Sequence, residues 1–73
     1  MIKNCIKDIR TAKNISRKKL AEMTGVPYKR LGDYETNYYK TENITVGSLY
    51  RIAKALDVPI EHLLIVDAKE ENN

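Results

Sequence analysis

The chain of 73 residues contains no tryptophan and no phenylalanine, one cysteine, one histidine, two prolines and three glycines. Each shortage removes a class of explanation. A single cysteine, Cys5, excludes an internal disulfide, and with His62 as the only histidine no metal cluster is expected. Without Trp or Phe, the core must come from Ile, Leu and Val with help from five tyrosines. No apolar run approaches the roughly 20 residues that cross a bilayer. The opening "MIKNCIKDIR" has charges where a signal peptide carries its apolar segment. The expectation is a soluble, cytoplasmic protein with no membrane partner. A lone thiol fits a reducing compartment, with Cys5 packing on a first helix or, as the alternative, sensing redox state.

Charge is plentiful and sorted. Residues 1–40 hold ten Lys/Arg and four acids, a net +6, whereas residues 41–73 hold three Lys/Arg and six acids, a net −3. Such asymmetry points to a cationic working half and an acidic remainder.

Apolar periodicity supplies the organisation. Ile2, Cys5, Ile6, Ile9 and Ala12 recur at three and four, which predicts a helix over 3–13. Asn14 suits its end, and Ser16 suits the cap of a second helix, 17–23, that carries Leu20, Ala21 and Met23 inward. Gly25 suits a turn with positive φ, and Pro27 is tolerated in the first turn of a third helix, 27–36. Residues 37–43, "NYYKTEN", read as a loop. Thr45 caps a fourth helix, 46–56, with Val46, Leu49, Ile52, Ala53 and Leu56 on one side. "DVP" turns into a short fifth helix bearing Ile60, Leu63 and Leu64. No strand is expected. The fold class is all-α, a compact bundle of five short helices spanning residues 1–66, followed by a flexible acidic tail, 67–73.

The second and third helices have a particular spacing. Small Ala21 lets the next helix cross closely, Gly25 makes the turn, and Val26 and Leu31 seal the crossing. This is helix-turn-helix geometry, in which the second helix enters the major groove of DNA and the first crosses the backbone. On "IRTAKNISRKKLAEMTGVPYKRLGDYE" and "LYRIAKALDVPIEHLL" the chain resembles the lambda-repressor/Cro-like (XRE-type) helix-turn-helix family, over roughly residues 6–64. The resemblance implies a five-helix orthogonal bundle and sequence-specific DNA binding, commonly as a dimer, by prokaryotic and phage regulators.

Site residues follow from both lines. At about 100° per residue, Leu31, Tyr34 and Pro27 of the third helix face inward, Glu35 lies at the buried edge, and Lys29, Gly32, Asp33 and Thr36 face out. Lysine can donate to guanine, and an aspartate can accept from cytosine. Asp33 could equally pair with Lys29 one turn away. Tyr28 and Lys29 match positions at which the family contacts bases, so Tyr28, Lys29, Gly32 and Asp33 are the expected base contacts. Ser16, Arg17, Arg30, Thr36, Tyr38 and Lys40 are the expected backbone contacts, Arg17 standing where the family often has a glutamine that touches phosphate. Lys18 and Lys19 supply general positive potential or a solvated face. The resemblance also implies a partly buried ion pair between Arg10 and Glu35. The loop departs from the family, being about three residues longer, with Ile44 where proline is usual and Asn37 where glycine is frequent. Tyr38 and Tyr39 either meet the DNA or fold back on the core.

Double-stranded DNA is therefore the expected partner, bound by a small transcriptional regulator. The alternative is a protein-interaction module on the same fold, antitoxin-like or bridging. No cofactor or small-molecule substrate is evident, and no enzyme is expected: His62 and Cys5 form no catalytic set, and there is no glycine-rich phosphate loop. A homodimer would draw on Ile60, Leu64, Ile65 and Val66, unless these close the core.

Overall fold

The computed structural model describes residues 2–36, 41 and 43–66. The order is β1 (Ile2–Asn4), α1 (Ile6–Ala12), α2 (Arg17–Thr24), α3 (Tyr28–Thr36), α4 (Val46–Leu56), a 3-10 turn (Ile60–Leu63) and β2 (Leu64–Val66). Four α-helices are present among the described residues where five helices were expected, and a two-stranded antiparallel sheet replaces both ends of the all-helical reading.

Each difference has a local cause. The first helix begins at Ile6 because Asn4 intervenes: its Oδ1 accepts from the Ile6 N–H at 3.2 Å, one of the donors a helix start leaves free. Upstream, Ile2–Asn4 pair with Leu64–Val66 in the register Ile2↔Val66, Lys3↔Ile65, Asn4↔Leu64. The expected fifth helix is a single 3-10 turn, closed by the His62 N–H donating to the Pro59 carbonyl at 3.0 Å, before the chain extends. Cys5 is the half-buried residue before α1. Its backbone N–H donates to the Leu63 carbonyl and its thiol to the His62 carbonyl, both at 2.9 Å, so the start of α1 is tied to the end of the fold.

The helix boundaries follow their caps. Ser16 Oγ accepts from the Lys19 N–H at 3.0 Å, and Thr45 Oγ1 accepts from the Ser48 N–H at 3.1 Å. Gly25 ends α2 at φ 76°, left-handed backbone that favours glycine. Thr24 secures the same turn, donating to the Leu20 carbonyl at 2.8 Å and accepting from the Val26 N–H at 3.1 Å. Asn14 and Asp57 also take positive φ, both 58°, at the ends of α1 and α4.

The core is Ile6, Leu20, Val26, Leu31, Ile44, Leu49, Ile52, Ala53, Leu56 and Leu63. Helix α4 is its floor, packed on α1, α2 and the 3-10 turn. Three residues expected inside are exposed. Val46 lies in the first turn of α4, beyond the edge of the core, with 76% of its surface open, and Met23 is 46% exposed. Pro27 stands before the first helical residue of α3, its carbonyl accepting from the Leu31 N–H at 3.0 Å, and the residue is exposed. Ile44, by contrast, is buried, and its N–H donates to the Thr41 carbonyl at 2.9 Å, a bond that proline could not make. The expected tail, 67–73, and Asn37, Tyr38, Tyr39 and Lys40 lie outside the described residues.

Candidate nucleic-acid interface

Helix α3 is fixed to the domain by little apolar surface. Only Leu31 and Glu35 are buried, with Tyr34 packed partly against the core. Polar contacts supply much of the rest, and four of them converge on one carboxylate.

Glu35, with 1% of its side chain exposed, accepts four hydrogen bonds. Arg10 grips it bidentately, Nε to Oε2 at 2.9 Å and Nη2 to Oε1 at 3.0 Å. The third nitrogen of the same guanidinium, Nη1, donates to the Ile15 carbonyl at 2.9 Å, which pins the turn between α1 and α2. Hydrogen bonding to Glu35 raises the Arg10 guanidinium above its ordinary value, with burial opposing. Arg17, the first residue of α2, adds Nε and Nη2 to Oε1 at 3.3 and 3.2 Å. One acid thus joins α1, α2 and α3. Two cations around one anion leave a net positive charge, and Arg17 keeps 30% of its side chain open to solvent.

Outward from this anchor, Tyr28, Lys29, Arg30, Asp33 and Thr36 are all exposed on α3, and Ser16, Lys18 and Lys19 are exposed at the start of α2. Among the described residues no ion pair joins Lys29 to Asp33, so both side chains face solvent separately. Gly32 is partly covered rather than open. A Cβ there would lie 3.1 Å from Arg17 Nη1, so the space is occupied from within the protein. The Arg17 guanidinium, expected at the DNA backbone, donates to Glu35 and lies 5.4 Å from the centroid of the Tyr28 ring while keeping part of its surface in solvent. Tyr38 and Lys40 are outside the described residues.

Sequence reasoning missed Asn4. Its Nδ2 donates to the Tyr34 carbonyl at 3.0 Å and to Thr41 Oγ1 at 3.1 Å, linking β1 to the end of α3. An asparagine set between Ile2 and Ile6 in the apolar pattern was the available signal. Of the residues named for a dimer, Ile60 and Leu64 pack partly on the core and Ile65 is 51% exposed; Val66 lies in β2. Among the described residues no helix is long and apolar enough to cross a membrane, and no group of three His, Cys, Asp or Glu could hold a metal ion.

A short helix, a left-handed glycine and a second helix with a polar, solvent-facing side define a helix-turn-helix domain. A helix-turn-helix family model matches residues 6–63, most of the chain. The chain belongs to that family, the XRE-type, lambda-repressor/Cro-like class of DNA-binding domains. No curated protein is significantly similar to it.

Proposed function

We propose that this chain binds double-stranded DNA sequence-specifically, as a small prokaryotic or phage-type transcriptional regulator with α3 in the major groove. The observation that carries this reading is the exposed side of α3, where Lys29, Arg30, Asp33 and Thr36 face solvent while Leu31 and Glu35 hold the helix to the scaffold, with exposed Tyr28 at the edge beside Arg17. Tyr28, Lys29 and Asp33 touch base edges; Ser16, Arg30 and Thr36 contact phosphate and sugar and set the register. Phosphate contacts supply affinity, and the mixed charge of Lys29 and Asp33 supplies selectivity. A homodimer places two such helices about one helical turn of DNA apart.

Selection of bound duplexes from a random pool tests the proposal. The expected result is a defined site whose affinity falls steeply with salt; no enrichment, or binding nearly independent of salt, contradicts it. Exposed Asp33, an acid amid the reading face, favours the second reading, a protein-interaction module. Co-purification with a basic protein, with no duplex retarded in a gel, would select that reading.

A further inference from the structure

Tyr28, Gly32 and Glu35 are spaced i, i+4 and i+7, so they form one stripe along α3. The Arg17 guanidinium lies along that stripe. It donates to Glu35 Oε1 at one end, at 3.2–3.3 Å. In the middle it fills the notch at Gly32, where a Cβ would meet Nη1 at 3.1 Å and Cζ at 3.6 Å. At the other end it stacks beside the Tyr28 ring, 5.4 Å from its centroid. Three contacts from one planar group restrict it far more than a solvent-facing phosphate clamp would be restricted. Tyr28 is itself 54% exposed, so little besides Arg17 restrains its ring.

From this geometry we infer that Arg17 is a positioning residue for base recognition. It holds the Tyr28 ring in one orientation at the start of the reading helix, and Gly32 is the seat that admits its guanidinium. Glu35 completes the device by orienting Arg17 from the buried side while Arg10 neutralises it. Gly32 then serves an internal contact, because a larger side chain there would have to displace the guanidinium. The inference rests on the proposed reading of α3 as the base-contacting helix, but its structural half can be measured without DNA.

Arg17→Lys separates the two roles, since lysine keeps the charge but lacks the planar fork. In the free protein, NMR of Arg17→Lys and of Gly32→Leu is expected to show the Tyr28 ring resonances moving toward those of an unrestrained tyrosine. On DNA, selection with Arg17→Lys is expected to relax preference at one base position by about fivefold, the lower end of one direct contact. The slope of affinity against salt should not change, whereas a lost phosphate contact lowers it by about 0.9. In a Tyr28→Ala background, Arg17→Lys should change neither preference nor slope. Unmoved Tyr28 resonances in both variants, or uniform weakening on every duplex with a lowered slope, would overturn the inference. If the unsubstituted protein enriches no sequence, the functional reading fails, and the Tyr28 resonances still decide whether Arg17 holds the ring.

Discussion

Helices α3 and α4 have nine and eleven residues and attach to the domain by different chemistry. Leu49, Ile52, Ala53 and Leu56 bury one side of α4. Only Leu31 and Glu35 are buried on α3, and Glu35 draws in arginines from α1 and α2. Apolar burial is non-directional, whereas a bidentate ion pair fixes orientation. A helix that serves as floor can be held by the first. A helix that must present particular side chains at a set angle, with one side left bare, benefits from the second. Net stability is not the point of such a pair, because a buried pair is a weak stabiliser even though removing one partner is costly.

The comparison breaks most severely at Glu35. Glu35→Ala leaves Arg10, with 12% of its side chain exposed, without a counter-charge. A loss of about 3–5 kcal/mol is expected, against a total of about 4–11 kcal/mol for a domain of this size. Urea titration gives the loss. Hydrogen exchange should show α3 losing protection before α4, and simultaneous loss in both would deny α3 its separate attachment.

Ile52→Ala attacks the other kind of attachment. Ile52 is fully buried on α4, so about 2–5 kcal/mol should go. Here protection should fall throughout the domain, α3 included, because the floor itself is weakened. The capping residues permit a gentler test. Ser16→Ala and Thr45→Ala each remove one side-chain bond to a helix N-terminus and should cost about 1 kcal/mol. Only Ser16→Ala should also reduce DNA affinity, since Ser16 lies beside the reading face.

Much of this contrast is legible in the sequence, and the unread parts have physical reasons. The α4 stripe is strongly periodic over three turns and bounded by Thr45 and Asp57, so its limits, 46–56, follow from the pattern. Val46 satisfies the same period yet stays exposed, because periodicity gives a direction and not the extent of the partner surface. Strands β1 and β2 have three residues each, too few for an alternation to register, and Ile2 happens to continue the period of α1. At the interface, spacing places Lys29, Asp33 and Thr36 on the outer side of α3. It could not show that Arg17 folds back, because that depends on a long side chain choosing between solvent and a buried carboxylate. The buried carboxylate, the notch at Gly32 and the Tyr28 ring lie together around Arg17 only in the folded chain, so none of them is a sequence-local property.

The smallest expected effect is at Cys5. Burial raises its thiol above the ordinary value, and the nearby Asp8 carboxylate adds to the shift. The protonated form, which donates to His62, is thus favoured in the folded state. Its contribution to stability is fully present below the ordinary thiol value and is lost as pH rises through the raised one. Alkylation of Cys5 at mildly alkaline pH should therefore be slower in native protein than in urea, and equal rates would contradict the hydrogen-bonded, partly buried thiol.

The central claim is that the bare side of α3 reads bases rather than merely carrying charge. Repeating the selection with Lys29→Ala tests it most directly. Base reading predicts altered preference at one position of the enriched site, with the other positions retained. Uniform weakening on all duplexes, with an unchanged preference at every position, would show that Lys29 contributes only charge and would contradict the claim.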